Sequence, residues 1–290
     1  MTGGIAPGAG MCGWWPTGIP EHYHNNIVAG DALSFISSLP PASVPMFLFS
    51  PPYNLSARAD GIGGFPNRGH YPADARMGAR GGAGKWKGAA LADGYTDHDD
   101  AMPPAEYAAW QRALLSACWA ALSDTGAIYY QHKPRVLNGI VQTPLDFVPG
   151  LPVRQIVIWA RAGGINFSPS FYCPTHEWIV VIAKPAFRLR DKAASGAGDV
   201  WYIPQESSTW HPAPFPLALA MTALETVRPA FVVDPFCGSG TTAKAAKSLG
   251  IGWIGNDKSA EYVARANAEV AAMPEPLFTQ PPAVQVEMAL

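Results

Sequence analysis

The sequence predicts an α/β protein with a mostly parallel sheet, on three observations. Near the start, apolar runs at 26–31 and 44–49 flank a brief helical stretch, which makes one strand-helix-strand unit. Near the end, strands at 230–234 and 252–255 flank an alanine-rich helix. The chain of 290 residues, 48% of them hydrophobic, is long enough to bury a proper core. Strands that alternate with helices favour a parallel sheet.

Residue patterns between these units add a helix and further strands. Pro103 and Pro104 open a helix whose apolar residues recur at three- and four-residue steps, the spacing of one buried face. Apolar, β-prone runs at 127–130, 155–159 and 177–182 predict strands, which brings the expected count to seven. The last two runs are joined by a Gly- and Pro-rich segment too short for a crossover helix, so we expect antiparallel neighbours.

Composition and charge narrow the function classes. The net charge is −2 and the pI is near 6.4, so a polyanionic partner would have to be held by a local patch. The four cysteines lie far apart without a C-x-x-C pair, and we expect neither a disulfide framework nor a metal site. No run reaches the roughly 18 apolar residues of a membrane span. With no signal-peptide pattern at the N-terminus, we expect a cytoplasmic protein without a membrane partner.

We expect a single domain over residues 22–275, between an irregular N-terminal arm (1–21) and a C-terminal tail (276–290). Trp14 and Trp15 are candidates for docking the arm. Within the domain, segment 57–94 is rich in glycine, basic residues and aromatics, which suits a loop that contacts a nucleic-acid backbone. A solvated insertion is the alternative. The basic residues of this loop are Arg58, Arg68, Arg76, Arg80, Lys85 and Lys87.

The stretch Ser50-Pro51-Pro52-Tyr53 follows the second strand and has the character of an active-site turn. The prolines prevent sheet or helix from continuing, and Pro51 holds Ser50 extended. The turn presents a hydroxyl, an aromatic ring and two proline carbonyls at the carboxyl end of a core strand, where open α/β sheets bind ligands. Taken alone, it is equally compatible with a stiff strand exit that has no chemistry.

A second turn follows the strand that ends at Asp234. Its glycines let a ligand approach the backbone, and a helix begins after it. Asp257 follows at the spacing along the sequence where such folds place an acid that binds ribose hydroxyls. Gly238-x-Gly240-x-x-Ala243 also satisfies the dinucleotide fingerprint, so the turn alone fits a nicotinamide or an S-adenosyl-L-methionine (AdoMet) site. Only 33 residues follow Asp257, so the preceding chain must complete the sheet in a permuted order.

Together these motifs resemble the amino-group DNA methyltransferases of the β-type motif order, over about residues 26–270. The resemblance implies a Rossmann-like, seven-stranded, mostly parallel sheet with one antiparallel strand pair and a circularly permuted motif order. It is carried by three stretches: Ser50-Pro51-Pro52-Tyr53, His211-Pro212-x-x-Phe215-Pro216 and Asp234-Pro235-Phe236-x-Gly238-x-Gly240-Thr241-Thr242.

The resemblance also implies AdoMet as cofactor and assigns residues to roles. Asp257 would hold the ribose hydroxyls and Asp31 the adenine amino group. The sequence departs from the family where Lys258-Ser259-Ala260 lacks a second acid, and where Phe215 stands at a position often occupied by lysine in adenine-modifying relatives. The catalytic candidates are Ser50, Pro51, Pro52 and Tyr53; the cofactor candidates are Asp31, Asp234, Phe236, Gly238, Ser239, Gly240, Thr241 and Asp257.

The implied activity is methyl transfer from AdoMet to the exocyclic amine of a base flipped out of double-stranded DNA. Ser50 in place of an aspartate, together with Phe215, favours N4 of cytosine over N6 of adenine. A nicotinamide-dependent oxidoreductase, an inactive DNA-binding module, and a methyltransferase of RNA or a small molecule remain alternatives. A homodimer and a companion restriction endonuclease are left open.

Overall fold

The computed structural model describes residues 15–54, 102–137, 139–148, 150–161, 163, 169–206, 210 and 215–276. The basic loop, residues 211–214 and nearly all of the tail lie outside this range. The described strands are β1 (Asn26–Ala29), β2 (Val44–Phe49), β3 (Leu122–His132), β4 (Arg135–Leu137), β5 (Ile140–Gln142), β6 (Val153–Ala160), β7 (His176–Ala183), β8 (Val200–Tyr202), β9 (Phe231–Asp234) and β10 (Gly252–Asp257). The α-helices among these residues are α1 (Ala32–Ser38), α2 (Pro104–Ala121), α3 (Leu217–Val227), α4 (Thr241–Ser248) and α5 (Ala260–Ala271).

The main sheet has the strand order β1-β10-β9-β2-β3-β7-β6-β8. The first five strands in this order are mutually parallel, whereas β7 runs antiparallel to β3. The predicted antiparallel pairing of the 155–159 and 177–182 runs is confirmed, with Ile156 opposite Val180. The α/β class and the mostly parallel sheet are therefore confirmed.

The sheet differs from the prediction in two details. It has eight strands among the described residues, because β8 adds to the β6 edge with Trp201 opposite Trp159. A three-residue strand is too short to leave a pattern in the sequence and depends on the partner that it pairs with. The sheet also has two antiparallel pairs where one was expected, because β7 lies between β3 and β6 and runs opposite to both.

Helices cover both faces of the sheet, so its central strands are buried on both sides, as parallel strands require. Leu48 contributes to a core cluster shared with α3, α4 and α5, and Phe49 to a second cluster shared with α1 and α2. On α2, Leu114 and Cys118 are fully buried, which confirms the predicted apolar face. None of the described helices is both long and apolar enough to cross a membrane.

Trp15 is the first residue of the predicted arm that the structure describes, and it packs against the sheet. Its ring stacks on His24 with the centroids 4.2 Å apart, and it contacts Phe231 at 4.7 Å. The indole thereby covers the start of β9, which confirms the predicted docking for this residue. Trp14, the second predicted anchor, lies outside the described residues.

Candidate active site

The two sequence motifs meet at the carboxyl edge of the sheet. β2 and β9 are parallel neighbours, with Phe47 opposite Val233, so the turns that follow them leave the same edge. The rings of Phe49 and Phe236 lie in contact, with centroids 5.9 Å apart. Strand order therefore brings together two motifs that stand near opposite ends of the chain, and it forms one site from them.

A chain of hydrogen bonds connects Ser50 to a buried carboxylate. The Ser50 hydroxyl donates to the Tyr53 hydroxyl at 2.9 Å, and Tyr53 donates to Glu177 Oε2 at 2.9 Å. Gln131 Nε2 also donates to Oε2, and Arg161 pairs with Oε1 at 3.1 Å. The predicted catalytic residues Ser50 and Tyr53 are thus linked to Glu177 on β7, which is held by Gln131 on β3 and by Arg161, the residue after β6.

Sequence reasoning missed Glu177, Gln131 and Arg161. The available signal was a charged residue at the start of the apolar run 177–182. Glu177 is 6% exposed, and a charge in such a place requires a partner. The sequence does not reveal that its partners include the catalytic turn.

The backbone of the catalytic turn is held by side chains from distant elements. The Tyr107 hydroxyl lies 2.7 Å from the Pro52 carbonyl oxygen, and Arg135 donates to the carbonyls of Tyr53 and Asn54 at 3.3 and 3.2 Å. Of the two proline carbonyls, that of Pro52 is therefore already engaged. The carbonyl of Pro51 is the better candidate for contacting a substrate.

Asn54 is the last residue of the catalytic turn that the structure describes. It has a φ of 55°, in the left-handed region that asparagine tolerates better than most residues, and it is fully buried. Its amide nitrogen donates to the Met102 carbonyl at 2.8 Å. Both ends of the chain segment that contains the basic loop are therefore fastened beside Tyr53.

His132 lies behind Tyr53, with ring centroids 4.6 Å apart. It is 1% exposed, and burial lowers its pKa to about 3. Its Nδ1 lies 3.0 Å from the Lys133 carbonyl oxygen, and its Nε2 lies 2.8 Å from the Tyr107 hydroxyl oxygen. The neutral imidazole acts here as a wall of the site that carries no charge.

Asp234 stabilises the cofactor turn from beneath. One carboxylate oxygen accepts from the Phe236 backbone N–H at 3.0 Å, and the other accepts from the Thr242 hydroxyl at 2.6 Å. Burial raises the pKa of Asp234 to about 7, although both hydrogen bonds oppose this effect; the charge of Asp257 raises it further. Asp234 therefore joins the turn to the first residues of α4 and is 2% exposed.

Asp257, at the end of β10, bonds to the same turn. Its Oδ2 accepts from the Gly238 N–H at 2.9 Å, and its Oδ1 accepts from the Ser259 N–H at 2.9 Å. A carboxylate offers about four acceptor sites, so these contacts are compatible with binding ribose hydroxyls.

Gly240 has a φ of 75°, and a Cβ there would lie 3.2 Å from the Cβ of Ala266 on α5, so glycine is required.

Asp31 follows β1, the next strand outward from β10. Its Oδ1 accepts from the backbone N–H and the hydroxyl of Ser34, both at 2.9 Å, so the side chain caps α1. Asn256, which sequence reasoning missed, donates to the carbonyls of Gly30 and Pro235 at 3.1 and 3.2 Å and fastens the two strand ends. An elongated ligand with hydroxyl and amino donors would meet carboxylates along this edge.

The remaining cofactor candidates lie at the start of α4. The hydroxyls of Ser239 and Thr241 are hydrogen-bonded at 3.1 Å, and both residues are buried. Phe236 is half-buried between Phe49 and Trp110. Sequence motif and structure thus agree on one compact turn that joins β9 to α4.

The residue before His211 is anchored on the cofactor side of the fold. Trp210 donates to Glu269 at 2.8 Å and lies under the Arg265 guanidinium, 4.4 Å from the ring centroid. Glu269 also pairs with Lys244 of α4 at 2.7 Å. This cluster places Trp210 beside α4 and α5, whereas His211 and Pro212 lie outside the described residues.

Two predictions are not tested by these residues. Arg58, Arg68, Arg76, Arg80, Lys85 and Lys87 all lie outside the described residues. Within the part of the chain that the structure describes, no cluster of three or more His, Cys, Asp or Glu side chains could hold a metal ion.

A mostly parallel α/β sheet with these two turns at one edge is the arrangement that the motif resemblance to methyltransferases predicted. The chain belongs to the DNA methylase family of N6/N4 methyltransferases, whose sequence model matches residues 44–268. This confirms the resemblance found in the motifs.

Two curated relatives are type II methyltransferases. M.BglII of Bacillus subtilis is 25% identical over 289 aligned residues, covering 86% of this chain and 69% of the relative. M.HinfI of Haemophilus influenzae is 24% identical over 265, covering 82% of this chain and 66% of the relative. The chain thus spans about two thirds of each relative's length.

Solved structures share the fold. The DNA modification methylase TTHA0409 of Thermus thermophilus, in complex with S-adenosyl-L-methionine, has a TM-score of 0.56 at 18% identity, covering 85% of this chain and 93% of its own. The cytosine-N4-specific PvuII DNA methyltransferase has a TM-score of 0.59 at 19% identity, covering 84% and 85%. The ligand of the TTHA0409 complex is the cofactor that the sequence predicted.

Proposed function

We propose that this protein methylates the exocyclic amine of a base flipped out of double-stranded DNA, at N4 of cytosine, with AdoMet as methyl donor. The observation that carries the proposal is the meeting of the Ser50 turn and the Asp234–Gly240 turn at one sheet edge, through adjacent strands β2 and β9. Neither turn alone indicates a reaction. Side by side, they bring an amine-binding group next to a cofactor pocket.

The Ser50 turn has the chemistry that an exocyclic amine needs. The lone pair of such an amine is delocalised into the ring, so the nitrogen is a poor nucleophile until its geometry becomes tetrahedral. Two acceptors directed at its two hydrogens favour that change. Ser50 Oγ and the Pro51 carbonyl would be these acceptors, since the Pro52 carbonyl lies against Tyr107.

The cofactor would lie across the ends of β9, β10 and β1. When bound, AdoMet supplies an electrophilic methyl group on its sulfonium. Asp257 would accept from the ribose hydroxyls and Asp31 from the adenine amino group, above a turn supported by Asp234. The methionine part would contact the turn and helix start through Phe236, Gly238, Ser239, Gly240 and Thr241.

The target base would enter beside Tyr53, whose ring would stack on it. Extruding a base from the duplex costs a few kcal/mol, so DNA contacts must compensate. We assign these contacts to the basic loop, whose flanking chain is fastened beside Tyr53 by Asn54 and Met102. Loop, cofactor turn and catalytic turn would then form one methyltransferase domain over residues 22–275.

The choice of cytosine rests on Ser50 and Phe215, which resemble the N4-cytosine pattern more than the N6-adenine one. N6 of adenine is the alternative, because the same pair of acceptors suits either amine. The reaction at both bases is otherwise the same.

Nucleoside mass spectrometry of DNA from cells that express the protein tests both activity and base. We expect N4-methylcytosine, at a lower level with Ser50→Ala, and sequencing of the methylated sites gives the recognition sequence. Detection of N6-methyladenine instead would show that adenine is the target base. Wild-type DNA without either mark would contradict the proposal.

A further inference from the structure

We propose that Glu177 is a positioning residue which, acting through Tyr53, fixes the Ser50 hydroxyl oxygen as an acceptor for the target amine. This inference rests on the proposed function, because it gives Glu177 a part in binding the same amine. Glu177 lies in none of the motifs that carry the family resemblance. It stands on β7, and Tyr53 stands on the catalytic turn.

The direction of each hydrogen bond follows from counting protons. A carboxylate accepts hydrogen bonds and donates none, so the single hydrogen of the Tyr53 hydroxyl must point to Glu177. The Tyr53 oxygen is then an acceptor, and it receives the single hydrogen of Ser50. With its hydrogen engaged, Ser50 presents only lone pairs to a substrate.

The carboxylate is held in one place by partners on both of its oxygens. Arg161 pairs with Oε1 at 3.1 Å, and its other terminal nitrogen donates to the Pro174 carbonyl at 3.1 Å. Gln131 donates to Oε2, the oxygen that also accepts from Tyr53. The Glu177 side chain is 8% exposed and that of Arg161 is 13% exposed, so water screens the pair little.

The strand direction explains how Glu177 reaches the site. β7 is antiparallel to β3, so its first residues lie at the edge where the parallel strands end, with Trp178 opposite His132. Trp159, near the end of β6, lies opposite Glu177 and places Arg161 close by. A parallel strand in this position would have put its first residues at the opposite edge.

A serine at the head of the motif needs this device, whereas an aspartate does not. A free hydroxyl rotates and can donate as well as accept, so it could turn its hydrogen towards an acceptor on the base. An aspartate is an acceptor without further help. Here the Glu177 carboxylate accepts the Tyr53 hydrogen, so that Tyr53 accepts the Ser50 hydrogen and the Ser50 oxygen can only accept. The charge of Glu177 also polarises the Ser50 oxygen through this cooperative chain of hydrogen bonds.

The test is a double-mutant cycle with Tyr53→Phe and Glu177→Gln. Tyr53→Phe keeps the ring and removes the central hydroxyl; Glu177→Gln removes the charge. The measurement is the single-turnover rate of methyl transfer at saturating AdoMet and DNA duplex. We expect each variant to be slower by about 10-fold, the worth of one net hydrogen bond, with AdoMet and DNA affinities unchanged. The double variant should be no slower than the worse single variant, because both break one chain.

Tyr23→Phe is the matched control, because it also removes a tyrosine hydroxyl but lies away from the site. That hydroxyl is hydrogen-bonded to the Ser38 hydroxyl at 3.1 Å. We expect this variant to leave the rate unchanged. Should Glu177→Gln fail to fold because Arg161 loses its partner, the cycle is run with Glu177→Gln and Arg161→Met combined as the second arm. Thermal unfolding verifies the fold of every variant.

The outcomes separate this inference from the proposed function. An active wild-type protein whose two variants lose rate additively, or keep the wild-type rate, overturns the role of Glu177 and leaves the methyltransferase intact. A wild-type protein that transfers no methyl group to DNA overturns both.

Discussion

The two turns that form the site are held in opposite ways. Around the cofactor turn, the bonds to Asp234 and Asp257 join residues 2, 8 and 19 positions apart. Around the catalytic turn, partners stand 55 positions away at Tyr107, 81 at Arg135 and 124 at Glu177. The cofactor turn is thus a local motif that carries most of its own support. The catalytic turn depends on the assembled sheet.

The two regions also share a feature, since burial favours the neutral form of one titratable group in each. The pKa of His132 beside the catalytic turn is lowered to about 3, and that of Asp234 under the cofactor turn is raised to about 7. Opposite shifts in the two turns provide a means of separating them experimentally.

The largest expected effect is on the pH dependence of stability. The folded-state pKa of Asp234 lies above its usual 3.8, so its contribution is present below that value and is lost as the pH rises through about 7. The contribution of His132 to the stability of the protein has the opposite pH dependence: it is lost as the pH falls from 6.5 towards 3, because its folded-state pKa is lowered. Urea unfolding of Asp234→Asn and wild type at pH 4 and 8 isolates Asp234, because His132 is present in both.

The stability of Asp234→Asn relative to wild type should rise between these pH values by on the order of 4 kcal/mol, from about three pKa units at roughly 1.36 kcal/mol each. A difference that stays constant with pH would show that Asp234 titrates as an ordinary carboxylate.

Ser50→Ala should have the next largest effect. It should lower the rate of methyl transfer without changing the cofactor turn. Loss of one of the two acceptors should slow methyl transfer by about 100-fold or more, or roughly 3 kcal/mol. AdoMet affinity should be unchanged, because the cofactor turn does not use Ser50. Single-turnover rates and calorimetric titration measure the two quantities, with Ser38→Ala, remote from the site, as the control. A parallel loss of AdoMet affinity would contradict the separation of the turns.

Asp257→Ala and Tyr53→Ala should give opposite patterns. Asp257→Ala removes a charged acceptor and the bond to Gly238, which should weaken AdoMet binding by roughly 2 kcal/mol, with a smaller change of rate at saturating AdoMet. Tyr53→Ala should slow transfer far more than it weakens AdoMet binding. Calorimetry with rate measurements decides this, and the reverse pattern would mean that the roles are wrongly assigned.

The smallest expected effect is that of Tyr107→Phe, which acts on the support of the catalytic turn. The hydroxyl lies within 2.8 Å of Pro52, His132 and Gln111, all of which lose a partner. We expect a loss of about 1 kcal/mol in the free energy of unfolding, measured in urea. Tyr23→Phe, whose hydroxyl bond is exposed, should change stability by less than about 0.5 kcal/mol. Equal losses in both would show that the catalytic turn needs no such support.

Elements with a strong local signal could be predicted from the sequence. The runs at 44–49 and 230–234 are long enough to indicate buried strands, and the prolines and glycines that follow define both turns. β8 could not be predicted, because its three residues become a strand only by pairing with β6. Asn256 was missed for a similar reason, since its role depends on which strand ends it joins.

The sequence by itself determined the class of fold, the two turns and the chemistry that each can offer. Proline and glycine determine the local backbone conformation, and the residue types of each turn determine its functional groups. Only the tertiary structure decided how the catalytic turn is completed. The antiparallel direction of β7 brings Glu177 to the edge where the parallel strands end, and strand order brings the two turns together. Contacts of this kind depend on long-range pairing, which no local pattern of residues encodes.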